Sequence, residues 1–318
     1  GTPNPELPLQ NVVGGLAFMW EPRIGEEGVL AALSNGEMWL KAAGQIFFSL
    51  SVGFGVIITY SSYLRKKDDI ALSSTTAVAG NQFCEVALGG LITIPAAFIF
   101  LGAMQTQEIS GSTFDLGFKA LPLVFHSMPA GQLFGFLWFF LLFLAAVTSS
   151  LSMLQPAIAF LEEGLGLNRK ISVIFLGFIT LAGNGLVIYF TKGFAALDTM
   201  DFWVGTFCIF VLATIQVILF GWALGAQRGM DELREGSDLR IPNWVAFVIK
   251  YVSPTYLLII FVVWAQQTFK ERLMVLVDDK TVLVTVGFIL AVAGLFLMLI
   301  AQAVRRWDRT NPLEKVEP

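Results

Sequence analysis

Long apolar stretches separated by shorter polar segments dominate the hydrophobic pattern of this chain. Seven such stretches are present, at residues 42–64, 71–103, 131–161, 171–191, 202–226, 243–266 and 281–304. A helix needs about 20 residues to cross the hydrocarbon core of a bilayer, so each stretch predicts one membrane-spanning helix. Several stretches are longer, which indicates helices that tilt or extend beyond the lipid. The pattern therefore predicts an all-α membrane protein with seven transmembrane helices.

The polar segments between these stretches predict how the chain is divided. We expect an extracellular loop, a five-helix unit, a cytoplasmic loop, a further helix pair and a cytoplasmic tail, at residues 1–40, 41–226, 227–242, 243–306 and 307–318. The connection at 104–130 is long and retains apolar side chains such as Phe114 and Phe125. Long connections of this kind are often active-site lids, so we expect it to fold back on the protein as an outer lid.

Lysine and arginine predict the orientation of the chain. Twelve of them lie beside one set of helix ends, and seven lie on the other side. The more basic side of a membrane protein is usually the cytoplasmic one. Because seven crossings put the two termini on opposite sides, we expect the N-terminus outside and the C-terminus in the cytoplasm, with the protein in the inner (plasma) membrane.

Composition narrows the classes of function. Of the 318 residues only 14% are charged, against about 25% in soluble proteins. A net charge of −4 and the lack of a basic tract argue against nucleic-acid binding. His126 is the only histidine, which leaves little for a zinc site or a catalytic triad, and we expect neither an enzyme nor an organic cofactor. Cys84 and Cys208 lie in apolar runs and are predicted to be free, buried thiols.

The centre of the first apolar stretch carries Ser49, Ser51, Gly53 and Gly55. Glycine disfavours a helix interior by about 1 kcal/mol relative to alanine. Unwound backbone at membrane depth occurs only where it lines a cavity or is buried in protein. One interpretation is a helix broken near 51–55 whose freed backbone groups face a ligand. The other is an intact helix in which small residues let a neighbouring helix approach closely.

Two further polar clusters lie deep within later stretches. Asn81 and Glu85 are four residues apart and share a helix face. An ionisable group at that depth indicates either a functional site or an acid paired with a neighbouring helix. Ala145, Thr148 and Ser149 lie within one helical turn, and their oxygens suit a monovalent cation, although such hydroxyls also commonly bond to the carbonyl four residues earlier. Three clusters near one depth predict the midplane site of a secondary transporter.

Several motifs are specific enough to suggest a family. They read QIFFSLSVGFG at 45–55, IITY at 57–60, FLWFFL at 136–141, TSS at 148–150, QP at 155–156 and MDFW at 200–203. On these motifs the sequence resembles the neurotransmitter:sodium symporter family, close to its bacterial leucine-transporter branch. The resemblance implies sodium-coupled symport of an amino acid or a related small molecule across the lipid bilayer.

The resemblance also implies a fold of twelve helices, in which helices one to five and helices six to ten are inverted repeats. This chain would hold helices six to twelve, which are the second repeat and two accessory helices. A five-helix N-terminal half would be missing, and with it part of every binding site. We therefore expect the chain to be inactive in transport by itself.

Binding residues follow from the same resemblance. The substrate contacts that it implies are Phe48, Ser51, Phe54, Ser149 and Met153. The sodium ligands that it implies are Ser49 and Asn81 at a first site, and the carbonyl of Ala145 with the hydroxyls of Thr148 and Ser149 at a second. Met153 stands where relatives often have a branched aliphatic residue.

The resemblance assigns gating and charge-compensating roles as well. Asp201 corresponds to an outer-gate acid, and Tyr63 belongs to an inner-gate network. Glu163 stands where the family usually has an inner-gate aspartate. Glu85 stands where chloride-dependent members have a neutral residue. We expect its carboxylate to replace chloride and to carry a proton back once sodium has left.

Other classes of membrane protein fit these residues less well. A heptahelical receptor would usually tie down an outer loop with a disulfide, for which Cys84 and Cys208 are badly placed. A retinal protein needs a lysine deep in its last helix, and residues 281–304 contain none. An intramembrane enzyme would need a nucleophile with a base, or paired aspartates, whereas Glu85 is the only acid well inside the predicted helices.

Overall fold

The computed structural model describes residues 11–20, 28–65, 67–104, 106, 114, 116–190 and 194–310. Over these ranges the backbone is helical with short turns, and it forms no β-strand. The main helices in chain order are α1 (Val12–Trp20), α2 (Gly28–Leu33), α3 (Gly36–Ser49), α4 (Val56–Ser61), α5 (Ile70–Leu101), α6 (Leu121–Ser127), α7 (Gly131–Leu165), α8 (Arg169–Tyr189), α9 (Ala195–Arg234), α10 (Trp244–Gln267), α11 (Phe269–Asp278) and α12 (Lys280–Thr310).

Six helices of the described chain are long and apolar enough to cross a membrane, namely α5, α7, α8, α9, α10 and α12. Each coincides with one predicted stretch, so the prediction of an all-α membrane protein is confirmed. The remaining stretch, 42–64, is covered by α3 and α4. These helices have 14 and 6 residues, and each is too short to span a bilayer.

Polar caps fix where several helices begin. The side chain of Asn35 accepts a hydrogen bond from the N–H of Met38 at the start of α3, and Asn168 accepts one from Ile171 at the start of α8. Asp69 accepts from Leu72 at the start of α5 and also from the N–H of Asp238. These backbone hydrogen bonds lower the pKa of Asp69, and the bond from Leu72 has the largest effect. Such a shift is expected for a carboxylate that caps a helix.

The long helices are not uniform along their length. π-helical turns interrupt α5 at Phe83–Gly90, α9 at Asp201–Cys208 and Leu219–Gly225, and α10 at Val248–Val252. Pro95 lies inside α5 and Pro156 inside α7. Proline removes a helix hydrogen bond, and π turns widen the helix locally. The membrane-length helices therefore carry several built-in irregularities.

The described residues form two compact units, drawn from 1–33 with 73–149 and from 34–72 with 150–318. In the first unit, α1 packs on the end of α5, where the rings of Phe18 and Phe98 are 5.2 Å apart. The region expected to be a loop at 1–40 thus contains helices. In the connection at 104–130, α6 places Phe125 6.2 Å from Trp138 of α7.

The second unit is built on an aromatic core. It contains Leu40 and Ala43 of α3, Phe202 and Phe210 of α9, and Leu257, Ile260 and Trp264 of α10. A smaller cluster joins α7, α8 and α12 through Leu161, Leu176 and Phe296. Trp264 is completely buried. Large aromatic side chains supply most of the contact area in such cores, so the start of α3 is fixed against α9 and α10.

The two cysteines differ from expectation. Cys84 and Cys208 are free thiols, as predicted, but both are exposed on the surface of the described chain. The prediction of burial was wrong because an apolar run in a membrane helix has one face toward protein and another toward lipid. Hydrophobicity alone does not distinguish these faces.

We expect Gly36→Ala to destabilise the protein. A Cβ at Gly36 would lie 2.7 Å from the backbone nitrogen of Trp264, and overpacking of this kind costs about 1–3 kcal/mol. Gly177→Ala in α8 is the matched control, since no atom lies within 4 Å of its Cβ. Thermal unfolding in detergent should show a lower melting temperature for Gly36→Ala only. Equal melting temperatures would contradict the close approach of α3 and α10.

Candidate functional site

The segment between α3 and α4 interrupts the first predicted transmembrane helix. The N–H of Val52 donates to the carbonyl of Phe47 at 2.8 Å, and the N–H of Ser51 donates to the carbonyl of Phe48 at 3.1 Å. This is the bond pair of a Schellman motif. Ser51 occupies its left-handed position with a φ of 56°. The helix therefore ends in a defined turn that satisfies two of its terminal carbonyls.

Gly53 and Gly55 continue the interruption with φ values of 87° and 80°. L-residues with a side chain rarely adopt this conformation. A Cβ at Gly53 would lie 2.7 Å from the carbonyl oxygen of Ile209 in α9, whereas a Cβ at Gly55 would lie 3.4 Å from the nearest atom of Pro156. The helix is thus broken, and the break packs closely against α9, so each interpretation of the small residues describes part of the structure.

Two of the expected substrate contacts meet across the break. The rings of Phe48 and Phe54 form an edge-to-face pair with centroids 5.6 Å apart. Ser51 lies between them in the chain, at the left-handed turn. Phe48 is 41% exposed, which leaves part of the aromatic pair accessible to a ligand. The hydroxyl of Ser49, the expected sodium ligand, lies 3.4 Å from the carbonyl oxygen of Ile46.

An apolar cavity of about 560 Å³ lies on one side of the break. It is lined by residues of the break together with α9 and α10, and it includes Ser51 but neither Phe48 nor Phe54. Its few polar groups include the side chain of Gln216. An apolar lining offers almost nothing to the charged ends of an amino acid, which are costly to bury without partners. Of the expected substrate contacts, this cavity therefore includes only Ser51.

The second expected sodium site lies on α7. The hydroxyl oxygen of Thr148 is 3.0 Å from the carbonyl oxygens of both Leu144 and Ala145. A hydroxyl has one proton to donate and keeps lone pairs for a cation. The structure thus brings the oxygens of Ala145 and Thr148 together, as two ligands of one ion would be. The same contact is also the local bond that helix hydroxyls commonly make.

Asn81 and Glu85 interact directly on α5. The side-chain amide of Asn81 donates to a carboxylate oxygen of Glu85 at 3.2 Å, as their four-residue spacing predicts. Glu85 lies in the π-helical turn Phe83–Gly90, and π-helical turns occur frequently at functional sites. The pair therefore joins an expected sodium ligand to the expected substitute for chloride.

The expected gate residues lie at the surface of the described chain. Asp201 begins a π-helical turn of α9, and its Oδ1 would lie 3.2 Å from a Cβ at Gly205. Tyr63 is 68% exposed, and Glu163 is exposed on α7. Ser149 is exposed and Met153 partly exposed on α7.

One contact near the break was not anticipated. The hydroxyl of Tyr60 in α4 donates to the hydroxyl of Ser152 in α7 at 2.9 Å. Ser152 directly precedes Met153, one of the expected substrate contacts. The only sequence signal is the presence of Tyr60 in the motif at 57–60, which carries no information about its partner.

Comparison with known proteins identifies the class to which this arrangement belongs. A family model described as the sodium:neurotransmitter symporter family matches residues 7–309. The matched region contains the break, both polar clusters and Asp201. The chain belongs to the sodium:neurotransmitter symporter family. Symporters are transporters, so the family confirms that the chain is not an enzyme. Membership of this family also argues against the heptahelical receptor considered above.

Individual relatives within the family carry consistent names. An uncharacterized sodium-dependent transporter of Haemophilus influenzae is 31% identical over 80% of this chain and 54% of its own length. An uncharacterized sodium-dependent transporter of Methanocaldococcus jannaschii is 25% identical over 71% of this chain and 46% of its own length. The sodium-dependent nutrient amino acid transporter 1 of Drosophila grimshawi is 28% identical over 80% and 39%. The chain thus spans about half the length of the curated relatives that it matches.

The break generates a prediction about its two glycines. Gly55→Ala imposes a strained left-handed residue, which costs about 1–2 kcal/mol. Gly53→Ala imposes the same strain and also a clash with the carbonyl of Ile209. Melting temperatures in detergent should therefore fall in the order wild type, Gly55→Ala, Gly53→Ala. A Gly53→Ala protein as stable as Gly55→Ala would contradict the packing of the break against α9.

Proposed function

We propose that this protein acts in sodium-coupled symport of an amino acid or a related small molecule. The observation that carries the proposal is the break between α3 and α4, flanked by the aromatic pair Phe48 and Phe54, in a chain of the sodium:neurotransmitter symporter family. Secondary transporters bind their substrates beside such discontinuous helices. The amino-acid substrate is supported by the Drosophila relative, whose name specifies nutrient amino acids.

The end of α3 at the break suits the ammonium group of an amino acid. The C-terminal end of this 14-residue helix carries the negative end of the helix dipole. Phe48, Ser51 and Phe54 would contact the substrate from the break, and Ser149 and Met153 would contact it from α7.

Sodium would be held by neutral oxygen ligands. We propose Ser49 and Asn81 at a first site, and the Ala145 carbonyl with the Thr148 and Ser149 hydroxyls at a second. Hard cations prefer oxygen ligands, and the charge of the ligand set tunes the affinity. The 3.0 Å separation of the Ala145 and Thr148 oxygens supports the second site. Within the described residues, no group of three histidine, cysteine or acidic side chains suits a metal ion.

We further propose that residues outside this chain complete both sites. The relatives are about twice as long as the matched region, and each proposed sodium site has few ligands. Asp201 would gate the outer side, and Tyr63 with Glu163 the inner side. We also propose that the protein lies in the inner (plasma) membrane, with the N-terminus of the chain on the outer side and its C-terminus in the cytoplasm.

The decisive experiment is uptake by the complete protein in proteoliposomes, driven by a sodium gradient. Thr148→Val combined with Ser149→Ala removes two proposed ligands at nearly constant volume. Each missing partner in a dry site costs about 1–3 kcal/mol, so the sodium concentration for half-maximal uptake should rise at least about tenfold.

Thr180→Val in α8 is the matched control, because the Thr180 hydroxyl makes the same local bond, to the Leu176 carbonyl at 2.9 Å. It should leave the sodium dependence unchanged. Equal sodium dependence in all three proteins would mean that the α7 hydroxyls bond only to their own helix. Uptake that does not require sodium at all would overturn the proposed function.

The carboxylate of Glu85 leads us to expect substrate uptake that does not depend on chloride. This fixed carboxylate would supply the negative charge that chloride provides in other family members. Glu85→Ser should make uptake depend on chloride, whereas Glu232→Ser, at an exposed acid near the end of α9, should not. The measurement is the initial rate with chloride replaced by gluconate. Wild-type uptake that collapses in gluconate would falsify this role for Glu85.

A further inference from the structure

Charged side chains link the first turn of α3 to α11. The carboxylate of Glu37 accepts hydrogen bonds from Lys41 at 3.1 Å and from Arg272 at 2.5 Å. Lys41 belongs to the same helix, whereas Arg272 is 235 residues away in the chain. Burial by itself would raise the pKa of Glu37, but the hydrogen bonds from Lys41 and Arg272 outweigh it and lower the pKa. Glu37 is therefore ionised at neutral pH, and the ion pair with Arg272 persists.

A second side chain holds the same end of α3. The amide of Gln267, the last residue of α10, accepts from the N–H of Gly36 at 2.8 Å and donates to the carbonyl of Ser34 at 3.0 Å. Together with the contact between Gly36 and the backbone of Trp264, this bond pair fixes the position of the helix start. The ion pair between Arg272 and Glu37 holds the same helix start by charge.

Arg272 also contacts α9. Its guanidinium carbon lies 4.2 Å from the centroid of the Phe202 ring, within range of a cation–π interaction. Phe202 is buried and packs against Trp264, with ring centroids 6.2 Å apart. The indole N–H of Trp264 finds no hydrogen-bond partner among the described residues. The orientation of these rings is therefore set by packing and by the cation above Phe202.

Phe202 adjoins Asp201, the proposed outer-gate acid. Both belong to the first turn of the π-helical segment of α9. Lys41, the other partner of Glu37, also interacts electrostatically with Asp201. The charged group of Glu37, Lys41 and Arg272 is therefore linked to Asp201 in two ways. Lys41 acts through its charge, and Arg272 acts through its contact with the neighbouring Phe202 ring.

We propose that Arg272 is a positioning residue for transport: it fastens α3, which leads into the break, to the Phe202 turn that carries Asp201. This inference rests on the proposed function. Its contacts with Glu37 and Phe202 include none of the residues proposed to hold substrate or sodium. It acts by favouring the conformation in which α3 and Asp201 are correctly placed for substrate binding.

Arginine is required here because it makes both contacts at once. Its planar group donates to the Glu37 carboxylate while its face covers the Phe202 ring. A lysine ammonium can bond to Glu37 or lie over the Phe202 ring, but it lacks the planar group that does both at once. Substitution by lysine therefore weakens one of the two contacts, and substitution by glutamine removes the charge from both.

The test is substrate uptake by the complete protein in proteoliposomes with Arg272→Lys and Arg272→Gln, with maximal rates normalised to the amount of reconstituted protein. Apparent affinity falls when a smaller fraction of the protein occupies the binding-competent conformation. A lost cation–π contact changes the equilibrium constant between the two conformations by about threefold. The KM should thus rise by up to about threefold for Arg272→Lys and further for Arg272→Gln, with little change in the normalised maximal rate.

Lys270→Gln is the matched control, because Lys270 is an exposed cation on the same short helix, and its KM should remain that of wild type. Glu37→Gln should raise the KM, and Arg272→Gln should add little in the Glu37→Gln background. A wild-type KM in Arg272→Lys and Arg272→Gln, or a lower maximal rate with unchanged KM, would overturn the positioning role. Sodium-dependent uptake by the wild type tests the proposed function separately, since it does not involve Arg272.

Discussion

Lipid offers no hydrogen bonds, and this limits where a membrane chain can leave a helix. The long helices meet the requirement internally. Between Leu50 and Gly55 the chain leaves the helix, and it does so with the N–H groups of Ser51 and Val52 bonded back to α3 and with Gly53 against the backbone of Ile209. The interruption is thus supported by hydrogen bonds to α3 and by close packing against α9.

The attachment of α3 determines where that interruption lies. Its first turn is held by Gln267 and Arg272, and its buried face by Phe210 and Trp264. Aromatic packing gives this helix a fixed position, whereas the ion pair at its end depends on charges near the membrane surface. Because α3 is held rigidly, the break that follows it can change conformation without unfolding α3.

The hydrophobic pattern predicts the long helices well, because crossing a bilayer requires an uninterrupted apolar length. It also identifies the small residues of the break, but not their conformation. Ser51, rather than a glycine, occupies the left-handed turn, and only the structure distinguishes Gly53, packed against α9, from Gly55. Contacts between distant residues, such as Glu37 with Arg272 or Tyr60 with Ser152, leave no periodic signal. The expected ligands came from motif resemblance, since isolated hydroxyls such as that of Thr148 also satisfy their own helix.

The π-helical turns have a consequence for the direction in which side chains point. Each turn acts as one additional residue inserted into an α-helix, and one residue rotates the remainder of a helix by about 100°. Beyond Phe83–Gly90 and beyond Asp201–Cys208, a helical wheel drawn from the start of the helix therefore assigns side chains to the wrong face. Both Glu85 and Asp201 lie where this change of phase begins. Glu85 and Asp201 thus mark the points at which one helix presents two differently oriented surfaces to its neighbours.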